Sequence, residues 1–595
     1  MKIKLINEPN NLFSATQQVL FNRGITNTFE YLNVSEKNLN PPEALGEENL
    51  KRGLKILFQH ITNSNDILLL VDADNDGYTS SALFANYLYK TFPAFVQEHL
   101  KFFFHDGKQH GLNDVIDIAK KYKMVICIDS SSNDYEEHKI LYDNKTDVLV
   151  LDHHEADKVS EYACVINNQL CDYPNKELSG VGIAYQFCRY IDKMLNKNYA
   201  DDFLDLVASG LTGDMMSMKS LETKYLIFKG FKKENIKNPF ILNMCTKNNF
   251  SLNKADYRPS ENNDLFITPM GAAFFLIPYV NAIVRSGNLE EKITVFNSML
   301  DFKANELVPS IKRGHAEGEM ETVIEQAIRI CTNVKNRQQK SVDHIVELLE
   351  KQIIDNDMMK HKVLLFLLEQ GEVDKNVAGL AANKFMSKYQ RPVAILTRCI
   401  DENSDVVFQG SARGYGDEMD FRNICLSTEC CKFCSGHANA FGLSLYGDNI
   451  ENFLARTDEA LSELSAEPSY FVDYIWTIDN IKPEKIIDIA EMNDYWGKDL
   501  DRAYICLKNI PVNQDNFKVM KSNTLKFEYS PVDIIKFKGE DEEVELFNKP
   551  TTTYINAVCK CTINEFNGMV NPQLILVDYE ISKDFKPNIM QAWNF

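Results

Sequence analysis

Residues 66–77, Asp-Ile-Leu-Leu-Leu-Val-Asp-Ala-Asp-Asn-Asp-Gly, decide the fold of the region around them. An unbroken apolar run of this kind suits a strand buried on both faces, as in a parallel sheet. It ends in Asp72, Asp74 and Asp76, three carboxylates that repel one another unless cations sit among them. Oxygen ligands at that density suit Mg2+ or Mn2+. A polar turn is the plain alternative, and an EF-hand calcium loop opens with the same Asp-x-Asp-x-Asp-Gly. The calcium loop needs a Glu six residues after Gly77, where this chain has Leu83, and it follows a helix rather than a strand.

Two further strands read the same way: Met124 to Ile128 ends at Asp129, and Asp147 to Leu151 ends at Asp152-His153-His154. Helical patterns such as Ser80 to Lys90 lie between the strands. This alternation predicts a doubly wound parallel α/β sheet, which binds ligands at the carboxyl ends of its strands, where all three acidic clusters fall. A later apolar run, Leu206 to Gly213, also ends in an acid, Asp214. Adjacent histidines at a strand end point in different directions, so one can bind a metal while the other faces substrate. Each cluster alone has a bland reading as a cap, a turn or an exposed pair.

The outward pass gives five segments. Residues 1–45 read as an irregular N-terminal extension, followed by a helix from Glu47 to Ile61 that opens a first lobe, 46–300. Residues 301–356 carry a connecting helix, clearest over the charged, Pro-free stretch Glu319 to Asp355. A smaller α/β lobe, 357–462, follows with strands His361 to Leu368, Pro392 to Leu396 and Val406 to Ser411 around a helix at Val377 to Lys388. In 463–595 alternation dominates. Tyr554 to Ile563 and Gln573 to Val577 flank Asn564-Glu565-Phe566-Asn567-Gly568, a strong hairpin signal, and this part reads as a β-barrel.

Composition sets the class. The chain has 595 residues, 44% hydrophobic and 25% charged, ordinary values for a multidomain globular protein. There is no secretory signal, and the longest apolar stretch, Gly271 to Val284, is broken by Pro278 and Asn281. A cytoplasmic protein with no membrane segment and fourteen reduced thiols is the expectation. A net charge of −21 argues against coating nucleic acid through bulk charge, but not against an enzyme with one local basic groove and an acidic metal centre.

Taken together, Asp-x-Asp, a strand-end Asp, Asp-His-His and a later Asp resemble the DHH phosphoesterase superfamily. The resemblance implies that Asp74, Asp76, Asp129, His153 and Asp214 share two Mn2+ or Mg2+ ions, with Asp129 bridging. It also implies that Asp72, Asp129 and His154 serve catalysis, His154 at the scissile phosphate. Further matches resemble RecJ-like nucleases. These are Ser179-Gly180-Val181-Gly182-Ile183-Ala184, Pro278-Tyr279-Val280-Asn281-Ala282 with Arg285, Gly410-Ser411-Ala412-Arg413, and Ser435-Gly436-His437-Ala438-Asn439-Ala440-Phe441-Gly442. By that resemblance the second lobe is a DHH-associated domain whose Ser411, Arg413, Gly436 and His437, with Asn281 and Arg285 of the first lobe, meet substrate phosphates. The third lobe resembles the RecJ OB-fold, suited to single strands.

Three departures stand out. Leu70 occupies the place of a family His, Ser131 that of a Gly after the bridging Asp, and Ser435 that of the first Gly in a Gly-Gly-His signature. Cys425, Cys430, Cys431, Cys434 and His437 crowd together and raise a zinc site as a rival to free thiols. Tyr504, Phe517, Phe527, Tyr529 and Phe566 are candidates for base stacking, with barrel core as the bland reading. The expected function is a monomeric, two-metal exonuclease acting on single-stranded DNA, 5′ to 3′. A single-strand-binding protein or a helicase are the partners the family implies. The alternatives are a phosphodiesterase of short oligonucleotides or cyclic dinucleotides, and an inactive replication scaffold; the latter loses ligands that this chain keeps.

Overall fold

The computed structural model describes residues 1–582 apart from 108, 374, 402, 417–418, 464–467 and 567–568. The first lobe is built on five parallel strands: β1 (Ile67–Val71), β2 (Leu100–Phe104), β3 (Met124–Ile128), β4 (Asp147–Asp152) and β5 (Cys164–Asn167), in the order β2-β1-β3-β4-β5. Alternate residues feed two cores. Leu68, Leu70, Val125, Cys127, Val148 and Val150 pack on one face. Ile67, Leu69, Val71, Ile126, Ile128 and Leu149 pack on the other, with the helices Asn75–Thr91 and Gly180–Leu195. That double burial is why these strands read as unbroken apolar runs, each side chain contributing roughly 1.5–3 kcal/mol. The strand order reverses between β1 and β3, the switch point where such sheets open a crevice.

A 33-residue helix, Val323–Asp355, leaves this lobe, about 50 Å long at the usual rise. It starts where Thr322 and Glu325 form a capping box, directly after a short strand, Met320–Thr322. The charged stretch from Glu319 therefore begins as strand, not helix. Ile324, Ala327, Ile330 and Val334 are buried in the first core, and Val342, Ile345, Leu349 and Ile353 in the core of the second lobe. One helix thus belongs to two cores and fixes their spacing.

The second lobe is a mixed sheet of β6 (Leu364–Leu368), β7 (Val393–Ile400), β8 (Val406–Arg413), β9 (Cys431–His437) and β10 (Ala440–Tyr446), ordered β9-β10-β8-β7-β6. The helix Lys375–Tyr389 and the end of the long helix cover one face. The third lobe holds seven hydrogen-bonded strands: β11 (Tyr474–Trp476), β12 (Ile505–Val512), β13 (Phe517–Met520), β14 (Thr524–Tyr529), β15 (Val532–Lys536), β16 (Thr553–Phe566) and β17 (Met569–Ile581), ordered β11-β12-β16-β17-β15-β14-β13. The hairpin β16–β17 is paired up to Phe566 and Met569; Asn567 and Gly568 lie outside the described residues.

One expectation changes, and one open alternative is resolved. The N-terminal segment is not irregular: Lys2–Leu5 pairs in parallel with Ser469–Val472, and Arg23 grips the fully buried Asp473 through two bonds of 2.6 and 3.1 Å. Phe517 and Phe527 are buried against Phe547, with ring centroids 5.7 and 5.4 Å away, and cannot stack on bases. Tyr529 donates its hydroxyl hydrogen to the Pro511 carbonyl, Tyr504 is half-buried beside Tyr470, and the Phe566 side chain lies outside the described residues. Among the described residues no helix is long and apolar enough to cross a membrane.

Candidate metal centre

Asp72 leaves β1 fully buried. Asp74 caps the next helix by accepting the Gly77 amide hydrogen at 2.9 Å, and Asp76 sits in its first turn. Asp129 follows β3 with a left-handed backbone, φ +68°, its amide donating to the Leu151 carbonyl at 2.9 Å. Ser131, where the family carries Gly, is also left-handed at φ +79°. Such conformations in non-glycine residues are costly and gather at functional sites. Asp152 ends β4 and accepts from the amides of Ser132 and His153 at 3.0 and 2.8 Å.

The two histidines diverge. His153 turns inward, its Nε2 lying 3.2 Å from Asp129 Oδ1 and 3.2 Å from Asp214 Oδ2. His154 is 57% exposed and held by Asp152 Oδ1 at 2.8 Å through Nδ1, which leaves Nε2 available. Burial, then the neighbouring His154, lowers His153 to about 4, so it is a neutral ligand at ordinary pH. Burial works against a charge on His154, but the Asp152 hydrogen bond outweighs it and raises the ring to about 9. Asp152 itself, despite burial, is held below the usual carboxylate range by the His154 hydrogen bond and charge.

The other carboxylates move the opposite way. Burial and then Asp74 push Asp76 up to about 7; burial and then Asp76 push Asp214 up to about 8. Asp129 is raised well above the ordinary range by burial, then by Asp76, Asp74 and Asp214. Asp72 Oδ1, Asp129 Oδ1, Asp214 Oδ2 and His153 Nε2 are buried with no hydrogen-bond partner. Ligand atoms converge in three sets: Asp72 with Asp74 and Asp129; Asp76 with His153 and Asp214; and Asp129 with Asp152, His153 and His154. Orphaned oxygens and mutual repulsion in a cluster of this composition fit hard divalent cations. Asp129 belongs to two of the sets.

Gly180 has a steric reason. A Cβ there would stand 2.5 Å from Asp129 Cβ, and its absence lets the N-terminus of the Gly180–Leu195 helix meet the carboxylates. There Ser179 Oγ and the Val181 amide donate to Asp76 at 2.9 and 3.3 Å. Gly210, in the helix Leu204–Gly213, is under the same constraint, since a Cβ there would stand 2.3 Å from Asp76 Oδ1.

Beside this cluster, cations converge. Arg285 is partly buried near Asp74; Arg413 and Lys335 both lie near Arg285, and burial followed by that mutual repulsion lowers both. Guanidinium and ammonium groups gathered this way have the chemistry to take a phosphate or another anion. Asn281, one helical turn before Arg285, has a buried Oδ1 without a partner. Ser411 and Arg413 share β8 and both face Gly379. Gly436 has φ +128°, and a Cβ there would meet the Ala440 carbonyl at 2.9 Å; His437 next to it is exposed at the end of β9. No distance ties His437 to the carboxylates.

Two residues escaped sequence reading. Lys335, on the long helix, is one. His110 is the other: its Nδ1 is 2.5 Å from Asp72 Oδ2 and its side chain is half exposed. Burial raises Asp72, and the Asp72 hydrogen bond raises His110. Leu70, in the place of the family His, is buried with Leu68, Leu112 and Val115, away from the ligands. Cys434 hydrogen-bonds Cys431 and raises its thiol, but among the described residues no third ligand from Cys425, Cys430 or His437 joins the pair; Cys430 and Cys431 also donate to the backbone carbonyls of Thr428 and Cys425, which favours plain thiols over zinc.

A family model described as "DHH family, N-terminal domain" matches residues 66–211, and one described as "RecJ OB domain" matches 472–578. The chain is 33% identical over 593 residues, 98% of both chains, to the "Putative SPbeta prophage-derived single-strand DNA-specific exonuclease YorK" of Bacillus subtilis. It is 23% identical to the single-stranded-DNA-specific exonuclease RecJ of the same organism, covering 98% of this chain and 70% of that one. The crystal structure of RecJ in complex with Mn2+ from Thermus thermophilus superposes with a TM-score of 0.70 at 15% identity, over 97% of this chain and 79% of that chain.

Proposed function

This chain belongs to the RecJ-like family of DHH phosphoesterases, and we propose that it is an exonuclease that hydrolyses single-stranded DNA from the 5′ end. The observation that carries this reading is the set of orphaned carboxylate and imidazole atoms at the β1/β3 switch point. Asp74, Asp76, Asp129, His153 and Asp214 would hold two Mn2+ or Mg2+ ions, Asp129 between them. When bound, such ions supply positive charge against the phosphoryl oxygens and neutralise the carboxylates.

The chain's own groups do the rest. Asp152 fixes the His154 ring and keeps it protonated, so that Nε2 donates to a phosphate oxygen. Arg285, Lys335 and Arg413 take a neighbouring phosphate, with Asn281, Ser411, Gly436 and His437 around it. In this division of labour 46–300 performs the chemistry, 357–462 grips phosphates and 463–595 guides the strand. The third lobe argues against a small-substrate phosphodiesterase, and the complete ligand set argues against an inactive scaffold.

The test is a long single strand labelled at its 5′ end, incubated with Mn2+ or Mg2+ beside matched duplex, RNA and Asp129→Ala protein. Immediate release of short labelled products from single-stranded DNA alone, lost in the variant, is expected. Label that persists while the strand shortens would reverse the direction, and inertness toward long DNA would remove the nuclease reading.

A further inference from the structure

A cavity of about 810 Å3 has a wall rich in thioethers, with Lys498, Asp499 and Asp501 along one side. Its walls include Met215, Met216, Met218, Met270 and Phe274, and Asn439 of the β9–β10 turn closes it from the second lobe. Thr212 and Met215, both lining it, stand on either side of Asp214 in the chain, which sets the cavity wall within two residues of the cluster. Met215 is 56% exposed and left-handed at φ +57°; Phe274 is 52% exposed. Tyr257 packs against the Phe274 ring, centroids 5.6 Å apart, and steadies it while half its surface stays open.

A phosphate has no use for such a surface. The part of a nucleotide that does is the base. Thioethers are polarizable and adapt to flat rings of differing shape, a steadied aromatic ring offers stacking to any base, and the volume suits a nucleoside-sized ligand. The polar side chains of the wall are tied up within the protein, Asn439 by Gly416, Met419 and Phe421, Thr212 by Ala208 and Lys498 by Asp499, so they fix the wall and leave the thioethers and the ring to meet the base.

We propose that this methionine-lined cavity is a nucleobase subsite, holding the base of a nucleotide next to the scissile phosphate by stacking and dispersion without reading its identity. The occupant is a base of the substrate strand, argued from the cavity's lining by Thr212 and Met215, which flank Asp214 in the chain; the inference rests on the nuclease reading above. It gives the enzyme a grip on unpaired bases that a duplex, with its bases stacked inside, cannot satisfy.

The experiment uses the full chain with single-stranded oligonucleotides carrying one 2-aminopurine at successive positions, bound in EDTA so that nothing is cut. One position near the 5′ end should be quenched beyond its neighbours, and Phe274→Ala should abolish that quench. Binding should weaken about 5- to 150-fold, the usual range for losing one stacked base. Phe274→Tyr should restore both. In Mn2+, an abasic site at the quenched position should slow wild-type cleavage at that step, whereas Phe274→Ala and Met215→Ala should no longer distinguish abasic from intact strands. Variants that quench, bind and discriminate like wild type would overturn the subsite while leaving the nuclease standing. A wild-type chain that neither binds nor cuts single strands would overturn both.

Discussion

Replacing Gly180 by Ala adds one methyl group at the point where helix and sheet meet the metal ligands. Its Cβ would lie 2.5 Å from Asp129 Cβ, 2.7 Å from Oδ1 and 2.8 Å from Cα. Unbonded carbons rest about 3.5–4.0 Å apart, so roughly 1 Å of relief is required. Asp129 cannot supply it, because its backbone is fixed at φ +68° and tied to Leu151. The helix start must retreat instead, drawing Ser179 Oγ and the Val181 amide off Asp76. Overpacking of this kind costs about 1–3 kcal/mol, and misplacing reacting groups by about 1 Å costs on the order of 100-fold in rate. Single-turnover cleavage of an end-labelled strand in Mn2+, with urea unfolding in parallel, measures both quantities. Gly182→Ala is the control: its nearest atom, 3.0 Å away, is the terminal methyl of Leu178, which can turn aside. That variant should keep its rate. Wild-type rate and urea midpoint for Gly180→Ala, or equal losses in both variants, would refute the close-approach argument.

Two further outcomes follow from buried groups. His110→Ala removes the side chain that bonds Asp72 Oδ2 among the described residues; loss of such an orienting partner should cost about 10- to 100-fold in kcat, with His110→Asn less affected, and equal kcat for wild type and the Ala variant would dismiss the contact. Lys224 is fully buried among Tyr31, Phe228 and Tyr495, and burial lowers it to about 7. Between that value and its unfolded pKa the unfolded chain binds the extra proton, so this residue makes stability rise with pH by up to about 1.4 kcal/mol per unit; below pH 7 the penalty is complete. The stability gap between Lys224→Met and wild type in urea should therefore shrink by about 2–3 kcal/mol from pH 7 to pH 9, and an unchanged gap would contradict it.

The parallel sheet was legible because strands buried on both faces leave no polar residue until they end, and their ends carry the acids. The acidic types were legible for the same reason: Asp72 and Asp129 directly follow a strand, Asp152 ends one, and Asp74 stands two residues beyond Asp72. What spacing hides is direction. His110 and Lys335 are unremarkable in sequence, and only the loop after β2 and the long helix bring them to Asp72 and Arg285. The helix start at Val323 had a signal, Thr322 three residues before Glu325, that the charged run upstream obscured. Phe517 and Phe527 show what alternation leaves open: it tells which residues share a face but not which face is wet, and the structure puts both in the core.

The pairing of Lys2–Leu5 with Ser469–Val472 bears on how the chain is made. A ribosome adds about 5–20 residues per second. The first strand therefore waits roughly half a minute to a minute and a half before its partner emerges. During that interval its backbone amides and carbonyls are an open edge, as are the Arg23 contacts that await Asp473. The catalytic lobe can finish folding meanwhile, but the third lobe cannot seat until the earliest residues return to it. The first residues are closed later still, when the Met1 amino group meets Glu580, so a holdase that shields the Lys2–Leu5 strand should raise the yield more than one acting late.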